Sequence, residues 1–260
     1  MKKVQAELTT GKRELTLPIR MVSDWHLGHP ASRLADLSAV GPYLRGAGTL
    51  VMVGDGREEL VDGWRPRADA LWAELQDRCA TQGVEFVALT GNHDPDSSED
   101  GWLFLDGRRI LVTHGDMVYD TTSPWSRELF KRRTEVLTYL ETCPAQTMTD
   151  RWQATREIGK ILRPEKKMAP NLLIYAKIAL WPPERLLEIG KTWAGFVAES
   201  GKFLDRFAPE VNDLVCGHFH RPGQFKVGQR TVWNTGSMMK FSRAMVVEYD
   251  GKDLRKVTIG

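Results

Sequence analysis

Cysteine is scarce in this chain: Cys79, Cys143 and Cys216 are the only 3 in 260 residues. They stand far apart and form no CxxC pair, which excludes a disulfide framework and a thiolate zinc site and fits a reducing compartment. An excess of charge of one sign is missing too. Lysine and arginine number 36 against 34 aspartate and glutamate, a net of +2, so no global field draws the chain to nucleic acid. No window reaches the ~20 apolar residues of a membrane span. The start, Met1-Lys2-Lys3 followed by VQAELTTGKRELT, is too polar for the apolar region of a signal peptide. Internal repeats and low-complexity segments are lacking as well. Together these absences lead us to expect a cytoplasmic protein with no transmembrane segment, touching membranes only peripherally if at all.

What is present is ordinary globular material, 42% hydrophobic and 27% charged, enough for a sizeable core in one domain over residues 1–260. Valine-, isoleucine- and leucine-rich runs read as strands: ELTLPIRMVSD, TLVMVGD, VEFVALTGNHD, RRILVTHGD, DLVCGHFH, RTVWNTGS and AMVVEYDG. Most stop at Gly/Asp/Asn/His clusters, as strands ending in loops do. Helical patterns at about 31–46 and 65–82 separate the early runs, giving β-α-β-α-β, and the last part reads as consecutive strands. From about 124 to 210 the strand signals vanish. Ser123 as N-cap and Pro124 as first helical residue open a helix with apolar residues at helical spacing. Pieces at about 145–163, 168–181 and 183–207 follow, with prolines 164, 170, 182, 183 and 209 as breaks. This stretch is too apolar and aromatic for a disordered linker and is expected to be an inserted helical subdomain.

The strand ends carry the chemistry. They read Asp24-x-His26, Gly54-Asp55, Gly91-Asn92-His93-Asp94, His114-Gly115-Asp116 and Gly217-His218-Phe219-His220. On a strand, Asp24 and His26 project to one side, as do His218 and His220. In an α/β arrangement such ends lie side by side and line a ligand crevice. Each cluster has a plain alternative: Asp24 as a cap, His26 or His114 as a hydrogen-bonded structural histidine, Gly91-Asn92 as a turn. The conjunction argues otherwise, because of the 6 histidines in the chain all but His29 fall in these clusters, and His29 lies just beyond one.

The ordered set DxH, GD, GNHD, H and GHxH resembles that of the calcineurin-like metallophosphoesterases. The resemblance implies two packed mixed β-sheets flanked by helices, with a metal centre at the sheet edges; the strand count alone is equally compatible with a single open sheet. It further implies that Asp24, His26, Asp55 and His220 hold one divalent metal ion and that Asp55, Asn92, His114 and His218 hold a second. Carboxylate, imidazole and amide donors without thiolate suit manganese, with iron or zinc as alternatives. Two ions about 3.5–4 Å apart lower the pKa of a bridging water and clamp the attacking and leaving oxygens of an in-line displacement at phosphorus. In the family the histidine of GNHD, here His93, faces the substrate phosphate, with Asp94 available to orient its ring. Asp116 is a candidate to orient His114. Arg57 and His29 are candidate substrate contacts, against a surface arginine and a loop histidine bonded to backbone near Pro30. In the second motif Gly56 and Arg57 replace the usual apolar residues, while Glu58 fills the acidic position.

The activity implied is a metal-dependent phosphoric ester hydrolase acting on a mono-, di- or pyrophosphate ester. The insertion begins and ends next to the His114 and GHFH motifs, as a lid or wall would, and combines Trp125, Trp152, Trp181, Trp193, Phe196, Phe203 and Phe207 with Lys131, Arg132, Arg133, Lys166 and Lys167. It reads as a tryptophan-cored bundle with a solvated basic face, or as an apolar groove suited to an amphiphilic phosphate ester. The second reading is similar to the UDP-2,3-diacylglucosamine hydrolases, whose lid is inserted at the same point, except that arginine stands there in place of His93. A nuclease, kept open by Lys131-Arg132-Arg133, and a non-catalytic scaffold are the remaining readings.

Overall fold

The computed structural model describes residues 2–163 and 184–258. The expected helical piece at 168–181, with Trp181, Lys166, Lys167 and prolines 164, 170, 182 and 183, lies outside the described residues. Strands β1 (Lys3–Leu8), β2 (Gly11–Thr16), β3 (Ile19–Val22), β4 (Thr49–Val53), β5 (Glu85–Leu89), β6 (Trp102–Leu105) and β7 (Ile110–Thr113) precede the helices of the insertion. Strands β8 (Asp213–Cys216), β9 (Gly223–Val227), β10 (Arg230–Asn234), β11 (Val246–Tyr249) and β12 (Leu254–Val257) follow them. The helices are α1 (Gly41–Leu44), α2 (Arg65–Thr81), α3 (Arg127–Thr142), α4 (Met148–Ile161) and α5 (Glu184–Phe207).

The strands form two mixed sheets, one of seven in the order β2-β1-β6-β7-β8-β10-β9 and one of five in the order β12-β11-β3-β4-β5. Period-two alternation explains why both faces of each are buried. In β4, Val51 and Val53 enter the core between the sheets, while Leu50 and Met52 pack outward with Leu71, Trp72 and Leu75 of α2. In the other sheet Ile110, Val112 and Val215 face the inter-sheet core, and Leu111 and Leu214 face Phe196, Phe203 and Leu204 of α5. The result is the expected helix-sheet-sheet-helix sandwich. β3, β4 and β5 are parallel to one another, and β7 is parallel to β8. Their C-terminal ends therefore gather along one edge, which is where the motifs stand.

Several local expectations change. ELTLPIRMVSD is not one strand: β2 pairs with β1 in the seven-stranded sheet, whereas β3 pairs with β4 and β11 in the five-stranded one. Pro18, which has no N–H for a ladder, stands at the crossing. The helix expected over 31–46 is a series of bends, a 3-10 turn at Ser38–Val40 and the single turn α1. Leu34, Leu37, Val40 and Leu44 are still buried, since tight turns of about three residues repeat an apolar face nearly as a helix does. α3 starts at Arg127 with Ser126 at its N-cap, because Ser123 and Ser126 close a turn of their own. The β1–β2 hairpin, β6, β9 and β12 are strands that the sequence reading did not pick out.

Candidate metal centre

The motif residues do not sit on strands. β3 ends at Val22 and β8 at Cys216, and Asp24, His26, Asp55, His218 and His220 all have φ between 46° and 65°. The period-two argument for the Asp24/His26 and His218/His220 pairs therefore fails. Each chain instead leaves its strand through left-handed residues, a conformation costly for side chains of this size and concentrated at functional sites. The glycines between them make room. A Cβ on Gly217 would lie 2.2 Å from Asp24 Oδ2, and one on Gly54 would lie 2.5 Å from the His114 ring.

The structure brings the seven candidate ligands to one edge. Asp24, His26 and His220 offer donor atoms within 4.8 Å of one another, as do Asp55, His114 and His218, and also His26, Asp55 and His93. His220 Nε2 is 3.0 Å from Asp24 Oδ1, and His114 Nε2 is 3.2 Å from Asp55 Oδ2. His26 Nε2 stands 3.9 Å from both Asp24 Oδ1 and Asp55 Oδ2, so Asp55 joins the two groups. Asn92 Oδ1 is buried without a hydrogen-bond partner, and so is His26 Nε2.

Backbone carbonyls fix the tautomers. A carbonyl can only accept, so His114 Nδ1 donates to Val53 O at 3.0 Å and His218 Nε2 donates to Thr122 O at 3.0 Å. The nitrogens left over, His114 Nε2 and His218 Nδ1, face each other at 3.2 Å. With both rings neutral, these nitrogens would aim two lone pairs at one point, beside the Asp55 carboxylate. Only a proton or a cation relieves that arrangement. Burial alone would depress the His114 pKa, but Asp55 reverses this and holds it well above the usual histidine value. Burial and the neighbouring His114 push His218 down to about 3. The donor set, hard and borderline with no sulfur, fits divalent first-row cations.

Glu58 organises the opposite side. Its carboxylate is 1% exposed and accepts from His26 Nδ1 at 3.0 Å and from His93 Nδ1 at 3.1 Å. Burial pushes its pKa up, but the charges and hydrogen bonds of His93 and His26 reverse this and hold it below the usual carboxylate range. Conversely burial lowers His93, and Glu58 and Asp55 raise it to about 10. Asp94 does not have the role given to it. Its carboxylate accepts from the N–H groups of Asp55, Gly56 and Gly91 at 2.8–2.9 Å, holding the GD and GNHD loops together, while Glu58 orients the His93 ring. Burial, then the nearby Asp55 charge, raises Asp94 to about 7. Asp116 likewise makes no hydrogen bond to His114, whose Nδ1 is taken by Val53 O.

Of the two candidate substrate contacts, Arg57 is turned away. Its guanidinium pairs with Asp69 at 2.7 Å and lies 5.7 Å from the Trp72 ring. His29 accepts from the Ala31 N–H at 2.9 Å, packs on Trp64, and also lines the cavity over the metal centre. Burial lowers its pKa to about 4, so the ring is neutral with its proton on Nε2. That cavity, about 1070 Å³, is floored by Asp55, Asn92, His93, His218 and His220 and walled by residues of α3, α4 and α5. α4 is anchored beside the third motif by Trp152 Nε1 donating to Thr90 Oγ1 at 2.8 Å, and just after the fourth by buried Arg151 donating to Met117 O at 2.8 Å. Sequence reasoning missed Thr122, Val53 and Ser23, because the first two act through carbonyls that carry no side-chain signal, and Ser23 is a common residue donating to Asp24 Oδ2.

Two packed sheets with clustered carboxylate, imidazole and amide donors at their shared edge define a metal-dependent phosphoesterase. The model of the calcineurin-like phosphoesterase family matches residues 17–222, and the chain belongs to that family. Among solved structures, a dimetal phosphatase from Danio rerio is similar at 10% identity and a TM-score of 0.43, over 95% of this chain and 100% of that one. Zinc-bound Vps29 from Entamoeba histolytica is 13% identical with a TM-score of 0.38, over 94% of this chain and 100% of that one. A conserved protein from Streptococcus pneumoniae TIGR4, described as a predicted phosphoesterase, is 15% identical with a TM-score of 0.37, over 96% of this chain and 85% of that one. No curated protein matches the sequence.

Proposed function

We propose that the chain hydrolyses a phosphate ester at this centre, with Asp24, His26, Asp55 and His220 holding one divalent cation and Asp55, Asn92, His114 and His218 a second. The observation that carries the reading is the placement of His114 Nε2 and His218 Nδ1, turned toward each other beside Asp55 by two backbone carbonyls that take the other ring nitrogens. When bound, such cations supply Lewis acidity toward a phosphoryl oxygen and an activated water. The protein's own part is positioning. Glu58 holds His93 by Nδ1 and leaves Nε2 to the cavity, where it donates to the ester or to the departing oxygen. Asp94 locks the two loops that carry Asp55 and Asn92 at a fixed distance.

The cavity walls favour an amphiphilic ester over a small one. Trp64, Trp125, Trp193 and Leu162 supply apolar surface, and Arg127 and Arg185 stand among the polar residues around it. In the Lys131-Arg132-Arg133 run, Lys131 pairs with Glu128 and Arg132 donates to Ile161 O, which turns two of its three cations toward the protein. Among the described residues no helix is long and apolar enough to cross a membrane. A panel of mono-, di- and pyrophosphate esters, including nucleotide-linked lipids, run with manganese, iron and zinc, tests the reading. Turnover of at least one class, lost on chelation and restored by one of the metals, is expected; turnover unaffected by chelation would overturn it.

A further inference from the structure

Next to the main cavity lies a second one of about 320 Å³, lined by His29, Arg33, Arg67 and Lys240 together with small and apolar residues and no acidic one. Its three cations are held by neutral groups. Lys240 Nζ donates to Pro30 O at 3.1 Å, Arg67 Nη2 to Ala35 O at 2.7 Å, and Arg33 Nη2 to Ser237 O at 3.3 Å. Among the described residues no carboxylate lies within 4.0 Å of any of them, whereas exposed Arg13 and Arg163 each have one. Asp36, which lies in the field of Arg67, uses its carboxylate on the Ser38 N–H at 2.8 Å.

The three cations share one cavity that holds no acidic side chain. Arg67 sits in the first turn of α2, which has no acidic residue in that turn and no side-chain cap. Partial positive charge at a helix N-terminus repels a cation there. The carbonyls draw the three side chains around one cavity without neutralising their charge, an arrangement that can receive an anion. His29 lines both cavities, and its ring lies 6.3 Å from that of His26, so the small cavity opens next to the metal centre.

We propose that Arg33, Arg67 and Lys240 form a subsite for a second phosphate group of the substrate, placed beside the one hydrolysed. The proposal rests on the phosphoesterase reading for its role, but the subsite itself can be read without turnover. Calorimetric titration of inorganic pyrophosphate into chelator-treated protein is expected to show binding that the combined Arg67→Gln/Lys240→Gln variant weakens by at least about tenfold, the loss of one or more charge-assisted contacts. Both side chains are exposed, and an unchanged melting temperature will report an intact fold. In the metal-loaded enzyme the same variant is expected to raise KM for a diol bisphosphate by a similar factor, leaving KM and kcat for para-nitrophenyl phosphate as in wild type. Equal pyrophosphate affinity in wild type and variant overturns the subsite, as does an equal change in KM for both substrates. If the wild-type enzyme hydrolyses neither ester, the phosphoesterase reading fails and the calorimetry alone decides the subsite.

Discussion

Glu58 is one carboxylate serving two rings, and its replacement separates charge from shape. Glutamine has a single acceptor oxygen, so it satisfies His26 or His93 but not both. Glu58→Gln is expected to lower kcat about 10²-fold while keeping metal, and Glu58→Ala to weaken metal affinity about 10–100-fold by releasing His26. Steady-state kinetics with metal analysis of both variants checks this; full activity in the alanine variant would remove Glu58 from the account. Gly217→Ala probes the close approach instead. The added methyl would stand 2.1 Å from Ser23 Oγ and 2.2 Å from Asp24 Oδ2, so a loss of about 1–3 kcal/mol in denaturant unfolding is expected, together with reduced metal content. At this scale the sequence was informative about identity and silent about orientation. Five histidines and two aspartates were legible as donors because they recur after strand-like runs. The left-handed φ values that turn Asp24, His26, His218 and His220 toward one another leave no mark in composition. Asp94 and Arg57 misled because a motif position does not say which way a side chain turns.

Elements were legible where both faces of a strand are buried or a helix is long. TLVMV of β4 and the 17-residue α2 are such cases, since a continuous apolar run or a sustained apolar face has few other solutions. Strands of mixed polarity were legible in part or not at all: only Glu14–Thr16 of GKRELT in β2 was read as strand, run together with β3, and LRKV in β12 was not read; both sit at sheet edges, where half the side chains meet water. One cross-strand cluster in the five-stranded sheet carries a pH dependence. Glu248 of β11 lies opposite Arg20 of β3 and Arg255 of β12, and accepts from them at 2.9 Å and 2.6 Å. Burial raises its pKa, and the hydrogen bonds from Arg20 and Arg255 more than reverse this, leaving it below 4.5. A depressed carboxylate contributes stability that is present above the unfolded pKa and lost as pH falls through the folded one. The contribution is therefore expected to be whole at pH 7 and to fade below about pH 4.5. Arg255 is largely exposed and adds little, so Arg20 carries most of it. Glu248→Ala is expected to cost about 1–3 kcal/mol at pH 7, with the gap between variant and wild type narrowing in denaturant titrations run toward pH 3. A gap that stays constant with pH would mean the loss is one of packing.

At the scale of the whole molecule, the sandwich exists to bring loops that are distant in sequence to one edge, and the helices between His114 and His218 roof the cavity that results. The family and the two-sheet class could be inferred from the order of motifs, whereas the roof's use could not, because tryptophans in a bundle core and tryptophans in a groove have the same spacing. The central claim is that the seven donors hold two divalent cations and that these are required for phosphoester hydrolysis. It is tested most directly by metal analysis and turnover of wild-type protein and Asp55→Asn, purified in parallel and loaded with manganese. The account predicts about two equivalents of metal per wild-type chain and hydrolysis abolished by chelation, with Asp55→Asn folded, depleted of metal and inactive. Wild-type protein that takes up no metal, or an Asp55→Asn variant that hydrolyses esters at the wild-type rate, would contradict it.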